Sequence, residues 1–210
     1  MLVSGDLFEH DRITPDTVEF LKIQFEALGS IKVFISPGNH DPFVEGSPYH
    51  VESWPKNVHI FSEEEFRSVT LQDLGVRVTG FGFNRAQVED RPFLKLHPLP
   101  RDAFNLVIVH GSDASRVPIG KCRYGPFSIE EIAGKNVHYC AVGHYHQQRS
   151  VENPLDDTPV WYSGIPEGRG WDEEGELGYL LGEVDAEGIT LYSCPSNQYP
   201  LRTLAVDCEG

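Results

Sequence analysis

The chain has 210 residues and a formal net charge of −15, from 17 Lys and Arg against 32 Asp and Glu. Hydrophobic residues make up 40% and charged residues 23%, a composition typical of a folded protein that excludes intrinsic disorder. The acidic excess excludes broad attraction of nucleic acid through Lys and Arg, so such a function requires bound cations, a local basic patch or a basic partner.

The first part of the chain predicts a strand, a helix and a second strand. "MLVSGD" is typical of a buried strand that ends in a Gly-Asp loop. In "TPDTVEFLKIQFEALG", Thr14 can cap a helix, Pro15 suits its first turn and Gly29 can end it. "IKVFI" then predicts the next strand. This order indicates a parallel crossover, and the loops of functional interest lie at the carboxyl ends of such strands.

The remainder of the chain predicts more strands and one short helix. "FSIEEIAGK" indicates the helix, with Ser128 as its cap and Gly134 near its end. The last part alternates as antiparallel strands do. The predicted fold class is therefore α/β. The predicted strands are "NVHIF", "FRSVTL", "GVRVTGFGF", "FNLVIVHGS", "VHYCAVGHYH", "PVWYSG", "LGYLLGEV", "GITLYS" and "LRTLAVD".

The cysteines and the apolar runs indicate a cytoplasmic protein. No two cysteines form a C-x-x-C pair, which argues against a zinc ribbon, and their scatter suits a reducing compartment. The start "MLVSGDLFEH" lacks the basic and apolar regions of a signal peptide, and no apolar run is long enough to span a membrane. The cysteines are Cys122, Cys140, Cys194 and Cys208.

Four predicted strands end in side chains that can bind a metal ion. Because carboxyl ends of neighbouring strands converge on one crevice, these segments can assemble one site. The alternative for "SPGNHDPF" is a simple turn, since Pro, Gly, Asn and Asp all favour turns. Clustered His and Asp is what a metal site requires. The candidates are Asp6 in the first strand end, Asn39 and His40 in the second, His110 in the third, and His144 and His146 in the fourth.

The candidate ligands also narrow the choice of metal. Carboxylate, amide oxygen and imidazole together suit Mn, Fe or Zn, and the lack of thiolate argues against a structural zinc site. Asp6 has two carboxylate oxygens and can bridge two cations. Gly5 and Gly143 stand beside candidate ligands, where they allow tight backbone turns.

The motifs "GD", "GNHD", a strand-end "HG" and "GHYH", in this order, resemble the calcineurin-like metallophosphoesterase family. The resemblance implies a metallophosphatase-type sandwich, two β-sheets flanked by helices. It implies that Asp6 is the bridging carboxylate and that His40 stabilises or protonates the leaving group. The further ligands of the second metal then match Asn39, His110 and His144, and His146 matches a ligand of the first. Mn²⁺ is the cofactor that the resemblance favours most.

Three further segments resemble one branch of that family, the SbcD-type DNA repair exonucleases and especially their YhaO-like subgroup. The segments are "SGDLFEH", "PGNHDPF" and "YSGIPEGRGWDEEGE". The resemblance implies hydrolysis of phosphodiester bonds in DNA and an SbcC-like ATPase partner, with a homodimer as a further option. For "PEGRGWDE", a charged surface loop and a role in substrate or partner contact both remain open.

The chain departs from the family pattern at both ends. The family begins with an Asp-x-His motif that supplies ligands to the first metal, and nothing before Asp6 provides it. We therefore expect a single domain over 1–210 that lacks the first strand-helix unit and a C-terminal capping region, with a gap in its sheet. We also expect one cation here, in place of the family's two. Glu9 stands where many relatives have Asp, and either supports His40 or is a solvated loop acid.

Two other functions remain open from the sequence. The low content of Lys and Arg favours a phosphoesterase for small phosphate esters. The missing motif favours a catalytically impaired module that binds metal weakly or serves in interactions. The other histidines are expected to be solvated or structural, and the tryptophans are expected to be packing residues. These are His10, His50, His59, His97 and His138, with Trp54, Trp161 and Trp171.

Overall fold

The computed structural model describes residues 1–116 and 123–206 and has a mixed α/β architecture, as the sequence predicts. Its strands form a three-stranded, a six-stranded and a two-stranded sheet. The strands are β1 (Leu2–Val3), β2 (Val33–Ile35), β3 (Val58–Ile60), β4 (Arg67–Leu71), β5 (Val76–Gly80), β6 (Phe104–His110), β7 (Tyr139–Gly143), β8 (Arg149–Val151), β9 (Val160–Tyr162), β10 (Gly178–Val184) and β11 (Ile189–Pro195); the helices are α1 (Pro15–Ala27) and α2 (Pro48–Val51), and 3₁₀ turns cover Gln72–Leu74, Pro92–Lys95 and Ile129–Glu131.

The N-terminal crossover forms as predicted. β1 pairs in parallel with β2, β2 pairs in parallel with β3, and α1 connects the first two strands. The side chain of Thr14 accepts a hydrogen bond from the amide of Thr17, which satisfies one free donor at the start of α1. Gly29, with φ of 62°, follows the helix in the left-handed conformation that commonly ends helices. Buried Phe25 packs α1 against the three-stranded sheet.

The six-stranded sheet runs in the order β4-β5-β6-β7-β9-β8. Its central neighbours are parallel, whereas β4 and β8 pair antiparallel at the two edges. Buried Phe34 of β2, Val78 of β5 and Ile108 of β6 belong to one core cluster, so the three-stranded and six-stranded sheets pack face to face. This sandwich places the ends of β1 and β2 beside the ends of β6 and β7.

The hairpin β10-β11 forms the separate two-stranded sheet. A lone two-stranded sheet has little stability of its own, so its packing on the rest of the protein matters. Leu180 and Leu191 face a cavity of about 290 Å³ that Leu2 of β1 and Trp161 of β9 also line. Leu181 also lines this cavity, although it is 50% accessible to solvent. The hairpin therefore covers apolar side chains from both larger sheets.

Three segments differ from the sequence-based predictions. The predicted helix in "FSIEEIAGK" is only the 3₁₀ turn Ile129–Glu131, although Ser128 does cap it. The predicted strand "LRTLAVD" is wrong within the described residues: Leu201 forms one isolated bridge to Glu174, and Asp207 lies outside them. β8 was not predicted. Across 1–116 and 123–206, no helix has the length and apolarity needed to cross a membrane.

Candidate metal centre

Three of the predicted ligands converge on one point. Asp6 follows β1, His110 is the last residue of β6, and His144 follows β7. One ligand atom from each lies within 4.8 Å of the other two. The rings of His110 and His144 meet edge to face, with 5.3 Å between centroids. The strand ends thus bring together residues that are 138 positions apart in the chain, from Asp6 to His144.

Asn39 joins the same group through His110. Its Oδ1 lies 2.9 Å from Nε2 of His110, and Oδ2 of Asp6 lies 3.4 Å from that nitrogen. The other ring nitrogen, Nδ1, lies 2.8 Å from the carbonyl oxygen of Ser4 and donates to it. In the neutral imidazole, Nε2 then directs a lone pair at two oxygens. Oδ1 of Asn39, Oδ2 of Asp6 and Nε2 of His110 are three electron-rich atoms around one point. A cation bound between them would offset their mutual repulsion.

The second oxygen of Asp6 is held by the neighbouring loop. Oδ1 accepts a hydrogen bond of 3.0 Å from the amide of His40. Asp6 has φ of 56° and His144 has φ of 111°, a region that residues other than Gly seldom adopt. Such backbone conformations persist where the surrounding structure fixes them, and they concentrate at functional sites.

Glycines permit the close approach of the loops. A Cβ at Gly143 would lie 1.8 Å from the carbonyl oxygen of Ser4, and a Cβ at Gly38 would lie 2.5 Å from Oδ1 of Asp6. Neither distance is possible for a real side chain. Glycine is therefore required at both positions for the ends of β1, β2 and β7 to meet. The sequence predicts a tight turn at Gly143, whereas the structure shows that this glycine is needed for close packing.

His144 is a neutral imidazole in this setting. Burial, followed by the neighbouring imidazole of His110, lowers the pKa of His144 to about 4. Asp6 acts in the opposite direction but does not outweigh them. A neutral imidazole has a free lone pair, which metal binding requires. The donor set of one carboxylate, one amide oxygen and two imidazoles therefore fits a divalent cation of the Mn, Fe or Zn type.

Asp41 holds two loops of the centre together. Its Oδ1 accepts hydrogen bonds from the amides of Asp6 at 2.9 Å and Gly38 at 2.7 Å. Its Oδ2 accepts from the amide of Leu7 and from the hydroxyl of Tyr49. Burial and the charge of Asp6 raise the pKa of Asp41 to about 6 against these hydrogen bonds. This residue closes the turn, since both oxygens point at the loop backbone and Tyr49.

His40 lies beside the group of ligands and contacts Glu9. Nδ1 of His40 is 2.8 Å from Oε2 of Glu9, and the His40 side chain is 50% exposed. The sequence left two roles open for Glu9, support of His40 or a solvated loop acid. The structure shows Glu9 in contact with the imidazole of His40. With Nδ1 engaged, Nε2 is the nitrogen available to a substrate oxygen. The exposure leaves room for a substrate to reach it.

His146 is not part of the compact group. It lies near enough to contribute to the lowered pKa of His144, but its Nδ1 is hydrogen-bonded to Oε1 of Glu173. Glu173 belongs to the "PEGRGWDE" stretch, for which the sequence left a surface loop and a contact role open. Sequence reasoning missed Glu173 as a residue of the site. The only signal was the density of charged residues in that loop.

The other histidines and tryptophans divide into several environments. His138 accepts a hydrogen bond from the amide of Asn105, as a structural histidine does. Trp54 packs against Phe25 and Tyr49. The prediction that Trp171 is a packing residue is wrong, because it is 87% exposed.

Comparisons with known proteins agree with this geometry. The family model described as calcineurin-like phosphoesterase matches residues 1–148. A curated relative, the uncharacterized metallophosphoesterase YhaO of Bacillus subtilis (strain 168), is 29% identical over 191 residues. That alignment covers 88% of this chain and 45% of the relative, so the chain spans less than half of the relative's length.

Proposed function

Because the chain belongs to the calcineurin-like phosphoesterase family, we propose that it is a metal-dependent phosphoesterase that hydrolyses phosphodiester bonds. The observation that carries this proposal is the convergence of Asp6, His110 and His144, whose ligand atoms lie within 4.8 Å of one another. Asn39 adds an amide oxygen at 2.9 Å from His110. These side chains are of the types that bind the divalent cations used in phosphoester hydrolysis, which supports the proposal.

The cation that we assign is Mn²⁺, and the same donor set also accommodates Fe or Zn. Asp6, Asn39, His110 and His144 would hold it. When bound, a cation at this place supplies Lewis acidity toward the phosphoryl oxygens and makes water more acidic. His146 lies apart with Glu173 and is the remaining candidate for a second cation, which Asp6 would share.

His40 supplies the proton chemistry of the proposed reaction. Its Nδ1 donates to Glu9, so its Nε2 is directed away from that carboxylate. In the imidazolium form, Nε2–H can donate to the oxygen that leaves phosphorus, as a general acid or a hydrogen-bond donor. Glu9 orients the ring, because its Oε2 lies 2.8 Å from Nδ1. In this scheme no Ser or Cys acts as a nucleophile.

We propose DNA as the substrate, in the manner of an exonuclease subunit that works with an ATPase partner. The support is the resemblance of "SGDLFEH", "PGNHDPF" and "PEGRGWDE" to SbcD-type enzymes. The net charge of −15 favours a second candidate, a phosphoesterase for small esters, because the surface repels a polyanion. The position of His146 outside the compact group favours a third, a module that binds metal without turnover.

One substrate panel separates these candidates. The full chain, loaded with Mn²⁺, is assayed on bis-p-nitrophenyl phosphate, on p-nitrophenyl phosphate and on linear double-stranded DNA. We expect turnover of the diester and of DNA ends, with Asp6→Asn lowering kcat/KM at least about 10³-fold because a cation ligand is lost. His40→Gln should lower kcat about 10²-fold or more, and the loss should be larger for DNA than for the nitrophenyl diester, whose leaving group needs less protonation.

Asp11→Asn is the matched control for Asp6→Asn. It makes the same change of charge on an exposed side chain of the same loop and should leave kcat/KM unchanged. Turnover of the monoester alone would overturn the diesterase proposal in favour of small esters. No turnover of any ester, with less than one Mn²⁺ bound per chain, would leave the non-catalytic module.

A further inference from the structure

We propose that Glu173 is a positioning residue that fixes the imidazole of His146 at the edge of the candidate metal centre, an inference that rests on the proposed function. The Glu173 side chain is 11% exposed, and its Oε1 is hydrogen-bonded to Nδ1 of His146. His146 itself is 40% exposed. A histidine this open to solvent would otherwise sample several ring orientations and both tautomers.

The carboxylate is held by the turn in which it stands. Oε2 of Glu173 accepts hydrogen bonds from the amides of Arg169 and Gly170, the latter at 3.0 Å. The amide of Glu173 donates to the carbonyl of Gly170 at 3.1 Å, which closes the turn. This turn spans residues 169–173. Both carboxylate oxygens are therefore committed, and the orientation of Oε1 is set by backbone and not by a free side chain.

The loop that carries this turn starts from direct contact with the backbone of His146. The amide of Ile165 donates to the carbonyl of His146 at 3.1 Å. A Cβ at Gly164 would lie 2.9 Å from the same carbonyl oxygen, so the two segments touch. Gln148 also donates from its side chain to the carbonyl of Ser163. The contact between Glu173 and His146 therefore follows from the packing of whole segments.

The contact determines which ring nitrogen faces the centre. An ionised carboxylate has only acceptor atoms: Oε2 of Glu173 accepts from the amides of Arg169 and Gly170, and Oε1 faces Nδ1 of His146. An anion at Nδ1 requires a proton there, which leaves the lone pair of Nε2 free in the neutral ring. A carboxylate behind a histidine in this way orients the ring and increases its basicity toward a metal.

The same turn also reaches Glu9 through Arg169, more weakly. Nη1 of Arg169 lies 3.8 Å from Oε1 of Glu9, and the Arg169 side chain is 68% exposed. An exposed ion pair at this distance contributes little, so Arg169→Ala should change kcat less than about threefold. The positioning role is therefore assigned to Glu173 alone.

The tautomer of His146 in the metal-free chain tests the proposal without reference to activity. Long-range ¹H–¹⁵N correlation of the labelled chain should show His146 protonated at Nδ1. Glu173→Gln should keep that tautomer, because its amide oxygen still accepts, whereas Glu173→Ala should give a mixture of tautomers. Asp172→Ala, an exposed acid in the same turn, should leave the spectrum of His146 unchanged. A proton at Nε2 in the parent chain would overturn the proposal.

Kinetics supply the second readout. Glu173→Ala should lower kcat/KM with Mn²⁺ about 10- to 100-fold, with partial rescue in Glu173→Gln, the range found when a carboxylate behind a metal-binding histidine is removed. Its effect should be absent in a His146→Ala background, since Glu173 acts through that ring. Additive losses would overturn the positioning role. If no variant or parent turns over any ester, the proposed function fails, whereas the tautomer result still decides the role of Glu173.

Discussion

Asp41 shows how a residue outside the ligand set shapes the centre. It is fully buried, and its carboxylate joins the loop after β1 to the loop after β2 through the amides of Asp6, Leu7 and Gly38. The hydroxyl of Tyr49 adds a hydrogen bond of 2.7 Å. This arrangement directs Asp6 toward His110 and not toward solvent. A ligand of a metal site needs such support, because a carboxylate on a free loop is not held in position.

His138 predicts how stability depends on pH. Its Nδ1 accepts a hydrogen bond of 2.9 Å from the amide of Asn105, so the ring must be unprotonated at that nitrogen. Burial lowers the pKa of His138 below 6.5. The unfolded chain therefore takes up this proton first as the pH falls. The stabilising contribution is fully present above pH 6.5 and is lost as the pH falls below that value toward the lower pKa of the folded state.

His138→Asn isolates this contribution, since the amide oxygen of Asn can accept the same hydrogen bond without titrating. Urea unfolding is measured for both chains at pH 7.5 and pH 5.5. We expect the parent chain to lose more free energy of unfolding than the variant between these values. Parallel losses in the two chains would contradict the assignment.

The sequence predicted which residues lie together in space where those residues stand at the ends of strands. Asp6, Asn39, His110 and His144 lie together because each follows or ends a buried strand, which an apolar run reveals. Glu173 could not be found in this way. Its partner His146 is 27 positions away, and the contact depends on how two irregular segments pack. No local pattern records such packing.

At the scale of elements, the end of β7 is packed directly against the end of β1. A Cβ at Gly143 would lie 1.8 Å from the carbonyl oxygen of Ser4 and 2.9 Å from its Cβ. We expect Gly143→Ala to lower the free energy of unfolding by about 1–3 kcal/mol or more, because backbone must move to make room. The same movement should separate His144 from Asp6 and weaken Mn²⁺ binding, measured by titration calorimetry.

Gly182→Ala is the matched control for that change. It also adds a methyl group to a strand, but its nearest neighbours are the flexible ends of Ile189 and Leu191, at 3.2 and 3.3 Å. Its free energy of unfolding should change by less than about 0.5 kcal/mol, as for a surface substitution. Equal losses in the two variants, or unchanged Mn²⁺ binding in Gly143→Ala, would contradict the close packing of β1 and β7.

Elements with local signals were predicted well, and elements without them were not. α1 carries its own cap in Thr14, a Pro in its first turn and a left-handed Gly29 after it. The segment "LRTLAVD" alternates as a strand does, yet Leu201 pairs only with Glu174 of an irregular loop. Strand propensity shows that a segment suits a pleated surface, but it does not identify a neighbouring strand to pair with. Whether the segment becomes a strand depends on that pairing.

At the scale of the whole molecule, the face-to-face packing of two sheets creates the centre. Phe34, Val78 and Ile108 bury the interface, and the loops after β1, β2, β6 and β7 meet beside it. The sequence predicted the α/β class, and the family resemblance implied the sandwich. The placement of hairpin β10-β11 over the cavity between the sheets was not predictable, because its alternating pattern does not say which surface it covers.

The net charge also has its meaning at this scale. A charge of −15 concentrates cations near the surface, which suits a centre built from a carboxylate, an amide and two imidazoles. The same charge opposes polyanions, so bound metal must offset it wherever a phosphodiester approaches. The net charge thus favours metal binding. It does not distinguish DNA from small esters as the substrate, and the substrate panel described above makes that distinction.

The most direct test of the central claim is an anomalous diffraction map from crystals of the chain grown with Mn²⁺. We expect one strong peak about 2.0–2.3 Å from a carboxylate oxygen of Asp6, Oδ1 of Asn39, Nε2 of His110 and a ring nitrogen of His144. A map without a peak among these four side chains, or with its strongest peak elsewhere, would contradict the claim that they bind one divalent cation.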